Sequence, residues 1–91
     1  MNVGPGLSFT DQMSGGNITT VHAGDTVRWV WVGGFHSTTS GSCNGACSKN
    51  GQWDSGEGAG MTFSRTFTQA GTFDYYCTVH GAAMKGTVRV Q

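Results

Sequence analysis

Tyr75-Tyr76-Cys77-Thr78-Val79-His80-Gly81-Ala82-Ala83-Met84 joins the end of one aromatic strand to the start of another, Gly86-Thr87-Val88-Arg89-Val90-Gln91. Within it a thiol, an imidazole and a thioether follow the spacing C-x2-H-x3-M. A thiolate binds soft or borderline metals, an imidazole suits copper or zinc, and a thioether favours copper over zinc. Donors from one short loop leave a site incomplete, so a further ligand must come from elsewhere in the chain. The remaining histidines are His22 and His36. His36 follows an apolar strand and the pair Gly33-Gly34, where a side chain is fixed at a strand end. His36, Cys77 and His80 with a weak axial Met84 make up the ligand set of a blue-copper electron-transfer centre. His22 precedes the turn Ala23-Gly24-Asp25 and reads as a solvated strand-end residue.

Working outward, Phe73, Tyr75 and Cys77 share a strand face by the two-residue period, which turns the thiol toward the apolar interior. Thr26 to Val32 is the strongest strand, with Val27, Trp29 and Trp31 on one face and Arg28, Val30 and Val32 on the other. Buried indole N–H groups of that face each need an acceptor. Met61 to Phe67 alternates with Phe63 and Phe67 inward, and Arg65 falls on that same face against the pattern. A short first strand runs into the turn Val3-Gly4-Pro5-Gly6. Leu7 to Thr10 and the β-branched run Ile18 to His22 supply two more strands. Ser40 to Gly60 has no hydrophobic periodicity and reads as a long loop anchored by Trp53. Sixteen glycines and one proline indicate many tight turns and no long helices. Short strands at regular turn spacing make this an all-β chain, a β-sandwich expected to form one domain over residues 1–91.

Three segments resemble the cupredoxins, in particular the small plastocyanin-like type 1 copper proteins. They are Ala23-Gly24-Asp25-Thr26-Val27-Arg28-Trp29, then Gly34-Phe35-His36-Ser37, then Ala70 through His80. The resemblance implies a cupredoxin-like Greek-key β-sandwich of about seven or eight strands. It implies one type 1 copper ion held by His36, Cys77, His80 and Met84, and one-electron transfer cycling Cu(I)/Cu(II). It further implies a Cys77 sulfur that accepts a backbone N–H bond from Ser37, which stands where the family often has Asn. One departure is the last loop: three residues separate His80 from Met84, where plastocyanins usually have four. A weakly charged patch is implied around the His80 ring, from Pro5, Gly33, Gly34, Phe35, Gly81, Ala82 and Ala83. Redox donor and acceptor proteins would dock there.

Charge is sparse and formally balanced at zero, so no basic stripe points to nucleic acid and no acidic block to an interaction tail. No apolar run is long enough to span a membrane, and the chain is expected to be a mature domain to which an initiator Met was added, which erases any export signal before Asn2. A monomer in the periplasm, or otherwise exported, is the expectation. With Cys77 on a metal, Cys43 and Cys47 remain as a C-x3-C pair, which suits a disulfide in an oxidising compartment; two free thiols are the alternative.

Rival readings use the same residues. A structural zinc module would take Cys43, Cys47, Cys77 and His80, leaving His36 and Met84 without roles. An immunoglobulin-type domain wants a cysteine before the strand tryptophan, whereas Cys43 and Cys47 follow Trp29 and Trp31. Enzymatic use of Cys77 as a nucleophile lacks a carboxylate to orient either His36 or His80. A copper-binding domain belonging to a larger redox enzyme is a further alternative.

Overall fold

The computed structural model describes residues 1–91. Its strands are β1 (Asn2–Val3), β2 (Phe9–Thr10), β3 (Ile18–Val21), β4 (Asp25–Trp31), β5 (Thr39–Asn44), β6 (Ala46–Asp54), β7 (Thr62–Phe67), β8 (Gly71–Cys77) and β9 (Gly81–Val90). Side-chain alternation decides which residues turn inward: on β4, Val27, Trp29 and Trp31 are buried while Arg28 is exposed. Burying those faces together yields two packed layers, a sheet in the order β2-β1-β4-β7 and a sheet in the order β3-β9-β8-β5-β6. The pairs β1–β4 and β3–β9 are parallel, and the remaining neighbours are antiparallel.

Trp29, fully buried, sits at the centre of the layer contact. Trp53, Phe63, Phe67 and Tyr75 surround it at centroid separations from 5.4 to 6.4 Å. Each such aromatic pair adds about 0.5–1.5 kcal/mol beyond its buried area. The indole N–H of Trp31 finds the His36 carbonyl at 3.0 Å and that of Trp53 finds Thr38 Oγ1 at 3.1 Å. Trp29 departs from the expectation, because its Nε1 has no hydrogen-bond partner among the rings that enclose it. Arg65, the misfit of its strand, lies over the Trp53 ring at 5.1 Å and the Phe67 ring at 4.8 Å. A guanidinium on aromatic faces is held by cation–π attraction, so its inward position is explained.

The segment from Ser40 to Gly60 is not a long loop. Most of it is the β5–β6 hairpin, which turns at Asn44-Gly45-Ala46 with Cys43 opposite Cys47 and their sulfurs joined. Both strands carry polar residues on both faces beyond Ser40, so no apolar alternation marks them. The pairing also slips between Thr39 and Gly41, leaving Ser40 alone opposite residues 50–53. The Ser40 hydroxyl fills the gap. It accepts from the amides of Gln52 at 2.9 Å and Trp53 at 2.8 Å, and donates to the Trp53 carbonyl at 3.1 Å. That bulge aims Trp53 into the core.

A second irregularity shapes the end of the chain. β9 begins at Gly81, earlier than Gly86, where the sequence pattern starts the strand. Its register jumps from Tyr76 opposite Lys85 to Cys77 opposite Gly81, so residues 82–84 bulge out of the ladder. Bulges re-aim side chains near functional sites. Here Met84 points inward and is buried while Ala82 and Ala83 face solvent.

Candidate metal centre

Cys77 is the last residue of β8 and is fully buried, as its inward-facing parity requires. The chain turns at once through Thr78, Val79 and His80, and this tight return brings His80 Nδ1 to 3.6 Å from Cys77 Sγ. The second imidazole arrives from the segment after β4. His36 exchanges backbone hydrogen bonds with Gly58, at 2.9 Å from its own amide and 3.0 Å to its carbonyl. Together with the Trp31 indole on the His36 carbonyl, these bonds fix the backbone that carries the ring. The ring is fixed separately: His36 Nε2 lies 2.9 Å from the Gly33 carbonyl. A carbonyl only accepts, so Nε2 carries the proton and Nδ1 presents its lone pair. That Nδ1 is 3.9 Å from Cys77 Sγ.

One nitrogen from each imidazole and the sulfur thus lie within 4.8 Å of one another, and the two rings are 5.0 Å apart at their centroids. Metal bonds to nitrogen and sulfur run roughly 2.0–2.3 Å, so His36, Cys77 and His80 are spaced as residues that would hold one ion. His36 and Cys77 are buried and His80 is half-buried, so the cluster is covered on the protein side and open only at the His80 edge. Met84 belongs to the same buried core cluster as Cys77.

The residues that follow the two buried donors hold them together. Ser37, after His36, donates its amide to Cys77 Sγ at 3.4 Å. Its hydroxyl accepts from the Thr78 amide at 2.9 Å and lies 3.0 Å from Thr78 Oγ1 and from Thr39 Oγ1. Thr78 donates onward to Glu57 Oε2 at 2.7 Å, and Thr39 to Asp54 Oδ1 at 3.0 Å. Ser37, standing where the family often has Asn, therefore bonds directly across the site to Thr78. Thr78 and Glu57 were not singled out from sequence. Thr78 had a signal in its position, one residue after Cys77 as Ser37 is after His36; Glu57 had none.

Other candidates fall outside. His22 is exposed at the far end of β3, 3.8 Å from Asp25, away from the cluster. Cys43 and Cys47 are bonded to each other, which removes both sulfurs from a four-ligand zinc set with Cys77 and His80. Asp74 accepts from Thr87 Oγ1 at 2.9 Å on the outer face of β8 and orients neither imidazole. No helix is long and apolar enough to cross a membrane.

A sequence profile of the family described as copper binding proteins, plastocyanin/azurin family, matches residues 12–91. The chain is 38% identical over 78 residues to a plastocyanin from Scenedesmus fuscus, a match that covers 79% of this chain and 80% of that one. Among solved structures, a novel purple cupredoxin from Nitrosopumilus maritimus superposes with a TM-score of 0.69 at 26% identity, over 81% of this chain and 77% of the other. A reduced tryptophan-to-tyrosine variant of amicyanin gives 0.67 at 28% identity, over 99% of this chain and 78% of the other.

Proposed function

This chain belongs to the plastocyanin/azurin family of copper-binding proteins, and on that premise we propose a one-electron carrier whose copper ligands are His36, Cys77, His80 and, weakly, Met84. The observation that carries the ligand assignment is the buried Cys77 sulfur with an imidazole nitrogen at 3.6 Å and another at 3.9 Å. One soft thiolate, two imidazoles and a thioether suit copper better than any other common divalent metal. When bound, the ion supplies a single-electron Cu(I)/Cu(II) couple of the type 1 kind.

The chain's own residues do the rest. The Gly33 carbonyl holds His36 in one tautomer, and the Ser37 amide offsets charge on the thiolate, an outer contact that tunes a metal. Bonds from Trp31 and Gly58 brace the His36 backbone independently of any ligand, which keeps the donor positions fixed as charge changes. Buried His36 and Cys77 exclude water, while the edge of His80 gives the electron a way out. The carrier reading rests on the family and on the donor set of His36, Cys77, His80 and Met84.

The docking surface proposed for donor and acceptor proteins is the rim of Gly33, Gly34, Phe35, Gly81, Ala82 and Ala83. Residues 1–91 act as one domain and as a monomer. The Cys43–Cys47 bond supports an exported or periplasmic setting, since such bonds persist in oxidising compartments. Adding Cu(II) to the metal-free protein is the test. A strong visible thiolate-to-copper band that Cys77→Ser abolishes is expected, and a colourless adduct would overturn the reading.

A further inference from the structure

We infer that Glu57 is a positioning residue for the Cys77 thiolate, acting through Thr78 and Ser37. This rests on the copper reading above and extends it to Glu57, which hydrogen-bonds none of the proposed ligands and reaches them through Thr78 and Ser37. Ser37 and Thr78 each follow a donor, and they are joined twice, amide to hydroxyl at 2.9 Å and hydroxyl to hydroxyl at 3.0 Å. The separation of His36 from Cys77 is therefore set in part by this clamp.

Proton accounting gives the clamp a direction. Each hydroxyl has one proton to donate. The Thr78 proton is committed to Glu57 Oε2 at 2.7 Å, and the Thr39 proton to Asp54 Oδ1 at 3.0 Å. Ser37 Oγ already accepts from the Thr78 amide, so its own proton is left to the two threonine oxygens, and neither can donate back. A carboxylate at each end thus orients both threonine hydroxyls, the single Ser37 proton serves one threonine oxygen at a time, and the Ser37 amide donates separately to the sulfur.

Asp54 is additionally tied to Lys49 at 3.2 Å, whereas Glu57 makes no ion pair. Its charge is directed at Thr78 alone. Glu57 also precedes Gly58, which exchanges both backbone bonds with His36, so the carboxylate rides on the frame that positions the first imidazole. A charge-assisted bond this short is about twice as strong as a neutral one, and it is made here by an exposed carboxylate. The ordinary reading, a surface carboxylate resting on a threonine, predicts no effect at the sulfur.

The experiment uses Glu57→Gln, Thr78→Val, their combination and Thr78→Ser in the full chain. In copper-loaded protein, poised against a fixed redox buffer, losing the ordered negative end favours Cu(I). Glu57→Gln and Thr78→Val should each shift the Cu(I):Cu(II) ratio upward about threefold, which at 59 mV per tenfold for one electron is about 30 mV. The double variant should shift no further than either single one, because both break the same link. Thr78→Ser restores the hydroxyl and should return to the parent ratio. In metal-free protein, amide hydrogen exchange at Thr78 should quicken about threefold in Glu57→Gln and Thr78→Val alike. Additive shifts would mean that Glu57 acts through space, and a parent-like ratio with parent-like exchange would mean that it does nothing; either overturns the inference. If the parent chain takes up no coloured copper, the reading of the centre fails, and the exchange rates alone decide whether Glu57 holds the clamp.

Discussion

His36 Nε2 and the Gly33 carbonyl oxygen are 2.9 Å apart, so the ring folds back over the residues that introduce it. Gly34 makes this possible. Its φ is +91°, and a Cβ built there would stand 2.4 Å from His36 Nε2. Gly34→Ala must either push the ring away from Gly33 or move the backbone, with a left-handed conformation costing about 1–2 kcal/mol in addition. We expect copper affinity to fall roughly 10–100-fold, as for loss of a partner that orients a metal-binding histidine. Competition with a chelator of known affinity measures it, and a parent-like constant would mean that the Gly33 bond does not orient the ring.

Ser40→Ala probes the hairpin. The Trp53 amide, buried with its side chain, loses its acceptor, while Gln52 still has Asn50 Oδ1 at 3.2 Å. Leaving one buried N–H unpaired costs about 1–3 kcal/mol. The denaturation midpoint of the metal-free protein should fall by that amount with an unchanged slope. A shift below about 0.5 kcal/mol would mean that the bulge closes without Ser40.

This hairpin is also where sequence reasoning failed, and the reason is physical. β4 and β8 announce themselves because one face of each carries buried apolar side chains, and β7 does so by Phe63 and Phe67 alternating inward on either side of Arg65. β5 and β6 beyond Ser40 are polar on both faces, and a side-chain hydroxyl replaces the backbone partner at the slip, so neither alternation nor spacing signals a strand. The cluster was legible for a different reason. His36, Cys77 and His80 are scarce residue types, and their spacing survives any error in strand boundaries. Glu57 was not legible, because a lone surface carboxylate gains meaning only when Thr78 is seen at 2.7 Å.

Asp54 gives a pH dependence. Burial works to raise its pKa, but the Gly56 amide, Lys49 and the Thr39 hydroxyl together outweigh it and leave the carboxyl below its ordinary value. A depressed folded value contributes stability above the unfolded carboxylate pKa, near ~3.9, and loses it as pH falls through the folded value. Asp54→Asn should be less stable than the parent at pH 7, by under about 1 kcal/mol for so exposed a pair. The difference should close as pH drops below about 4. Urea titrations at pH 7 and pH 3 check this, and a gap that widens in acid would contradict it.

Met84→Leu tests the axial assignment. Met84 is buried, and leucine conserves its bulk, so folding should hold with a cost under about 1.5 kcal/mol. Losing a weak thioether donor while keeping thiolate and imidazoles should preserve the visible band and raise the reduction potential. Spectroelectrochemistry reads both, and an unchanged potential would remove Met84 from the ligand set.

Ala82→Glu asks where the electron leaves. The bulge of residues 82–84 turns Met84 inward and, by the same geometry, presents Ala82 and Ala83 to solvent beside half-buried His80. Apolar side chains exposed elsewhere on the chain include Phe35 at 53% and Leu7 at 51%. Phe35 neighbours His36 in sequence, and Leu7 lines a shallow recess with Ala82 and Ala83. Exposed apolar patches mark contact sites, and Phe35, Ala82 and Ala83 are the apolar side chains of the docking surface proposed above. With formal charge at zero, little steers an encounter, so docking here should be brief, apolar and weakly salt-dependent. A carboxylate placed in that contact must be desolvated, and roughly 1.4 kcal/mol of such cost slows a reaction about tenfold. We expect bimolecular electron transfer with a redox protein partner to slow by that factor, at low and high salt alike. Spectrum and potential should stay close to those of the parent, because Ala82 lies outside the donor set. Stopped-flow rates decide it: transfer at the parent rate would mean that the electron does not leave through the His80 edge.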